Sequence, residues 1–197
     1  MSIPIAQPSL GVEENDAVLA VLASGMIAQG PETSAFEEEF AAYCGVSHAV
    51  ATNNGTAALH AALLAAGIGP GDEVIVPAFT FFATASAVSM CGAIPVFADV
   101  DPETATIDPA AIIANITPET KAIIAVHLYG QPCDVAADRR ICDTNDLIFI
   151  EDAAQAHGAT YRDRKTGNLG DLACFSFYAT KNMTTGEGGM VTTASDE

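Results

Sequence analysis

At 197 residues, half of them hydrophobic, the chain is long enough to bury a sizeable core. Its 25 acidic residues outnumber 7 basic ones for a net charge of −18, which excludes a nucleic-acid groove built on clustered lysine and arginine. No apolar run reaches membrane-spanning length, and Met1 to Pro8 lack a basic-then-apolar signal, so a cytoplasmic protein with no membrane partner is expected.

Residues 1–30 read as an N-terminal segment with one helix, from about Glu13 to Leu22. Val12, Val18, Val21 and Leu22 form its apolar face and Gly25 its stop. Residues 31–197 read as the main domain. It opens with a helix carrying Phe36, Phe40 and Tyr43 at helical spacing, core positions followed by Gly45 as a left-handed cap. Strands and helices then alternate. His48–Thr52 is a strand, Asn53–Thr56 a turn and Ala57–Ala66 a helix stopped by Gly67. Glu73–Pro77 is a strand, Thr80–Met90 a helix and Ile94–Val100 a strand. Pro109–Asn115 is helical, Lys121–His127 a strand, Val135–Cys142 a helix and Leu147–Glu151 a buried strand. This order indicates a three-layer α/β/α domain around a mostly parallel sheet.

Gly67-Ile-Gly69-Pro-Gly71 lies after a helix and before a strand, the reverse of the dinucleotide-binding order, and reads as a tight turn. Cys44, Cys91, Cys133, Cys142 and Cys174 are scattered without a CxxC pair, which suggests neither a disulfide framework nor a zinc site. The four histidines are dispersed, and a buried structural role is expected for each.

Four stretches carry possible chemistry. Thr52-Asn-Asn-Gly-Thr-Ala-Ala58 is a strand–turn–helix junction: Gly55 permits close backbone approach, and Thr56 offers an N–H and a hydroxyl at a helix N-terminus. That arrangement holds a phosphate without a basic side chain, although an ordinary helix cap would look the same. Pro77-Ala-Phe-Thr-Phe-Phe-Ala-Thr84 brings aromatics just past a strand, as core or as a flat surface for a planar ring. Ile148 to His157 delivers Asp152 at a strand's C-terminal end, the ligand-binding edge of open α/β sheets, where a buried carboxylate requires a cationic partner. Phe175 to Gly189 places Lys181 among small, hydroxylated and glycine residues, with Ser176 close by. Lys181 is either a loop cation or an amine nucleophile for carbonyl chemistry. An amine, a carboxylate, an aromatic face and a phosphate cradle at strand ends are together what pyridoxal phosphate requires.

Six blocks, in order, strengthen that reading: Phe36–Tyr43, Asn54–Leu59, Gly69–Phe81, Val126–Gln131, Glu151–Gly158 and Ser176–Asn182. Through them the chain, essentially from residue 3 to residue 195, resembles the DegT/DnrJ/EryC1/StrS sugar aminotransferases, fold type I pyridoxal-phosphate enzymes. The resemblance implies that Lys181 is the Schiff-base lysine that also shuttles a proton, and that Asp152 pairs with the pyridine nitrogen. It implies that Phe81 stacks on the ring, Gln155 lies beside its 3-oxygen, and Gly55, Thr56 and Ser176 hold the phosphate. The implied substrates are an amino acid, commonly glutamate, and a keto sugar linked to a nucleotide. Relatives that perform sugar 3-dehydration carry histidine at the position of Lys181, so lysine favours transamination. The family is usually longer, which implies a C-terminally truncated chain without the small domain, a homodimer when full length, and an exposed apolar sheet edge. A cofactor-binding fragment without turnover, or a dehydratase relative, is the alternative.

Overall fold

The computed structural model describes residues 3–4 and 6–196. Helix α1 (Val12–Ser24) ends on the left-handed Gly25, and α2 (Pro31–Cys44) begins on a proline whose missing N–H has no intrahelical acceptor to lose and ends on the left-handed Gly45. There follow β1 (His48–Thr52), α3 (Gly55–Ala65), β2 (Glu73–Pro77), α4 (Ala83–Met90), β3 (Ile94–Ala98), α5 (Pro109–Asn115) and β4 (Thr120–Val126). Helix α6 (Val135–Asn145), β5 (Ile148–Asp152), a small hairpin of β6 (Thr160–Tyr161) and β7 (Arg164–Lys165), β8 (Leu172–Ser176) and β9 (Gly189–Thr193) complete the order.

Seven strands form one sheet in the order β1-β9-β8-β5-β4-β2-β3. Strand β9 runs antiparallel to both its neighbours, while the remaining pairs are parallel. The C-terminal ends of β1, β2, β4, β5 and β8 therefore share one edge. The strands are apolar on both faces, as a sheet covered by helices on both sides demands. Val74, Val76, Ile124 and Ile150 pack with Leu59, Leu63 and Val88 from α3 and α4. Ile75, Ile123 and Phe149 face the other way, onto Ile112 of α5 and Ile141 of α6. Helix α2 lays Phe40 and Cys44 on Phe175 and Met190. The expected three-layer arrangement is present.

Several expectations need correction. Helix α4 starts at Ala83, because Thr80–Phe82 turn past the end of β2, and β3 stops at Ala98, leaving Val100 in an isolated bridge to Ile107. The apolar face expected of α1 is not buried: Val12, Val18 and Leu22 are exposed and only Val21 is half-buried. Strands β8 and β9 and the β6–β7 hairpin have no counterpart in the sequence reading. The histidines do not share one role, since His48 is exposed and pairs with Asp196 at 2.9 Å while His127 is fully buried. Edge strand β3 exposes Ile94 and Phe97.

Two buried carboxylates show how polar groups are treated inside this core. Glu151, with no exposed surface, accepts hydrogen bonds from His127 Nε2 at 2.9 Å and from the amides of Gly167, Leu169 and Gly170 at 3.0, 2.7 and 2.7 Å. The Cys133 amide donates to His127 Nδ1, so the ring hydrogen sits on Nε2. Burial pushes the Glu151 carboxyl up, but His127 and the backbone donors outweigh it and hold it below the ordinary range. Asp138 on α6 is equally buried, yet no nitrogen or oxygen among the described residues donates to either of its oxygens. Burial raises its carboxyl to about 7, with the Cys133 thiol offering only a weak donor.

The two groups give stability opposite pH dependences. A depressed carboxyl stabilises the fold above its unfolded value, and that stability disappears as pH falls through the folded value. Urea unfolding should therefore show the advantage of the wild type over Glu151→Gln shrinking below about pH 4. For Asp138 the folded chain holds a proton that the unfolded chain releases. Stability should fall with rising pH between 3.8 and about 7, by about 1.4 kcal/mol per pH unit at most, and Asp138→Asn should remove that slope.

Candidate active site

A cavity of about 680 Å³ opens at the C-terminal edge of the sheet. The start of α3, the segment from Thr80 to Ala83, the ends of β4, β5 and β8, and the loop from Tyr178 to Glu187 enclose it. Gly55, Thr56, Phe81, Asp152, Gln155, Ser176 and Lys181 all line this one space, although they span 127 positions of sequence, 181 − 55 + 1.

Asp152 reaches the cavity because it alternates with Glu151 along β5: the glutamate turns to the α6 side and the aspartate to the α3 side. Only 6% of Asp152 is exposed. Its Oδ2 accepts a hydrogen bond from Thr84 Oγ1 at 2.8 Å, and its Oδ1 accepts one from the Ala154 amide at 3.2 Å. Burial raises its carboxyl above the ordinary range, against the opposing pull of the Thr84 hydroxyl, the Ala154 amide and the Lys181 charge. A carboxylate placed so favours a cationic partner in the cavity.

At the opposite wall, Asn54 caps α3 by accepting from the Ala57 amide at 2.8 Å. The amides of Gly55 and Thr56, in the first turn, have no intrahelical acceptor and stand beside the Ser176 hydroxyl. A Cβ on Gly55 would lie 2.8 Å from Ser176 Cβ, so only glycine lets α3 and β8 approach this closely. The Ser176 oxygen accepts weakly from the Tyr178 amide at 3.4 Å, leaving its own hydrogen for another acceptor. Helix amides and hydroxyls without a nearby guanidinium are donors suited to an oxyanion.

Gln155 is held by its Oε1, which accepts the Tyr129 amide at 2.8 Å, and this leaves the Nε2 hydrogens as donors to the cavity. Tyr129 takes a left-handed conformation, φ 55°, to present that amide. Phe81 packs against Phe82 at 4.4 Å between centroids, and 61% of Phe81 is exposed. Lys181 lies in a turn in which its amide donates to Tyr178 O at 2.9 Å, and no ion pair among the described residues engages its ammonium. Amine, carboxylate, amide donor and oxyanion cradle thus face one volume. A planar, anionic cofactor with a ring cation and a phosphate has a matching group for each, so pyridoxal phosphate fits the residues present.

The sequence reading missed Thr80 and Thr84, whose hydroxyls lead to Asp152. It also missed Cys174 and Val126 on the floor, and Tyr178, Thr180 and Glu187 at the rim. A signal for the first pair exists: two threonines four apart at a helix start just past a strand.

The model of the DegT/DnrJ/EryC1/StrS aminotransferase family matches residues 8–197. The chain is similar to GDP-perosamine synthase of Caulobacter vibrioides, 54% identical over 196 residues, covering 99% of this chain and 53% of the relative. It is also similar to the spore coat polysaccharide biosynthesis protein SpsC of Bacillus subtilis, at 50% identity over 195 residues, covering 99% of this chain and 50% of the relative. The PLP-form of a Streptococcus pneumoniae sugar aminotransferase superposes with a TM-score of 0.96 at 34% identity, over 100% of this chain and 54% of that one. The chain spans about half the length of the relatives it matches.

Gly55→Val tests the close approach of α3 to β8. It should force the two apart and cost about 1–3 kcal/mol of stability, read as a lowered midpoint in urea unfolding.

Proposed function

Because the chain belongs to the DegT/DnrJ/EryC1/StrS aminotransferase family, we propose that its cavity binds pyridoxal phosphate and serves amino-group transfer from an amino acid, commonly glutamate, to a keto sugar carried on a nucleotide. The observation that carries this reading is the convergence of Lys181 and Asp152 with the α3 cradle on a single cavity. When bound, the cofactor supplies an electrophilic carbon and a ring that accepts electron density. Lys181 provides the amine nucleophile, and its Nζ takes and returns the proton at the reacting carbon. Asp152, through its buried carboxylate, would keep a proton on the ring nitrogen. Gln155 would donate through Nε2 to the ring oxygen, and Phe81 would cover the ring face. The Gly55 and Thr56 amides and the Thr56 and Ser176 hydroxyls would hold the phosphate.

The substrate class follows the relatives, one of which is a GDP-perosamine synthase and another a polysaccharide biosynthesis protein. Lysine at position 181 favours transamination over sugar dehydration. A homodimer belongs to the reading: Phe79, Phe81 and Phe82 are each more than half exposed, and Phe81 and Phe82 line the cavity. A second subunit would cover such an apolar rim. A cytoplasmic site of action is proposed with it; no helix among the described residues is long and apolar enough to cross a membrane.

The exposed ring of Phe81 favours a second reading, a chain that binds cofactor without turning over. Borohydride reduction after adding pyridoxal phosphate should attach the cofactor to the peptide containing Lys181, and Lys181→Ala should abolish the adduct. No adduct on the wild type rules out the cofactor reading. In a separate sample that has not been reduced, glutamate should convert the bound cofactor to its amine form, seen as loss of the aldehyde-state absorbance. Asp152→Asn should slow that conversion on the order of a hundredfold, and an adduct without conversion selects the second reading.

A further inference from the structure

Asp152 closes β5 between Val126 on β4 and Cys174 on β8, its register partners, and burial alone would neutralise a carboxyl there. The ionisable groups around it are Lys181 on the loop after β8, His127 just past β4, Cys174 alongside, and Glu151, which turns to the opposite face. No side-chain cation touches Asp152 among the described residues. Its side-chain donor is instead a hydroxyl, Thr84 Oγ1 at 2.8 Å, on a threonine with no exposed surface.

Thr84 has one hydroxyl hydrogen. That hydrogen goes to Asp152 Oδ2, so the 2.9 Å contact between Thr84 Oγ1 and Thr80 Oγ1 is donated by Thr80. The chain therefore runs from Thr80 at the cavity wall, through Thr84, to Asp152, and keeps that direction only while Oδ2 is unprotonated. Phe82 caps α4, so Thr84 occupies its second position and sits 68 residues from the carboxylate in sequence. Thr80 lies in the turn that leads into α4, and that turn brings its hydroxyl back to the Thr84 hydroxyl.

Resting on the pyridoxal-phosphate reading, we propose that Thr84, backed by Thr80, is a positioning residue that favours the ionised form of Asp152 and fixes its rotation in the cavity. A neutral donor suits this task better than a cation. An arginine would satisfy the carboxylate permanently and remove its pull on a ring proton. A hydroxyl stabilises the negative charge while leaving it the dominant anion in the cavity. The second hydroxyl strengthens the first by polarising it, and the arrangement needs none of the chain's few basic residues.

The test is read first without cofactor. The Asp152 carboxyl is followed by carbon-13 NMR on the full chain labelled at aspartate, with its signal identified by its absence in Asp152→Asn. Thr84→Val should raise the Asp152 titration midpoint by about one to two pH units, the worth of a hydrogen bond to a charged group. Thr84→Ser should restore the wild-type midpoint, and Thr80→Val should give a smaller shift of the same sign while leaving the buried Thr84 in place. With pyridoxal phosphate labelled at its ring nitrogen, Thr84→Val should lose the protonated nitrogen-15 signal at a lower pH than the wild type. An unchanged Asp152 midpoint in both Thr84→Val and Thr80→Val overturns the proposal, as does a Thr84→Ser chain that behaves like Thr84→Val. Because the carboxyl titration needs no cofactor, it stands apart from the Lys181 trapping experiment.

Discussion

The hydrogen bonds gathered by Glu151 fix the geometry on which the cavity depends. One fully buried carboxylate binds the imidazole beyond β4 and three amides of the turn that leads into β8. Removing it would leave four donors without an acceptor in a region closed to water, a large cost for any single change. The turn at 167–170 sets where β8 begins, and β8 in turn delivers Ser176 and the loop that carries Lys181. The next residue along β5 is Asp152. The pleat thus assigns adjacent carboxylates to two tasks, one holding the frame and the other facing the ligand space.

The same economy in cations marks the cavity walls. A chain with 7 basic residues against 25 acidic ones would strain to keep guanidinium groups around an anion. The donors at the α3 wall are instead the first turn of α3 and the hydroxyls of Thr56 and Ser176, all neutral. Close approach replaces charge, and it depends on Gly55, where a side chain would strike Ser176.

What the sequence disclosed follows from what is local. Strands β2, β4 and β5 are short apolar runs between turn residues, and a register of two carries Asp152 to the edge without knowledge of its neighbours. The glycine stops at 25 and 45 are readable because only the left-handed region explains them. Strand β9 begins on glycine and ends on two threonines, with too weak an alternation to mark it, and its pairing is what makes it a strand. The exposure of α1 depends on what does or does not pack against it, which no periodicity records. The Thr84 contact joins residues 68 apart and appears only when α4 is laid across the end of β5. Local pattern places Asp152 at the strand edge, and tertiary packing decides its neighbours.

Strand β1 joins the sheet only through β9, which is inserted between it and β8. Residues 48–52 therefore remain without a lateral partner while the 136 residues between the two strands, 189 − 52 − 1, are synthesised and collapse. Closing so long a loop carries a high entropic cost, and pairings of such separation are formed slowly. Gly189 sits against Asn54 so tightly that there is no room for a Cβ, which makes the late strand a wall for the cap of α3. The cap of α3 is thus synthesised well before the strand that braces it.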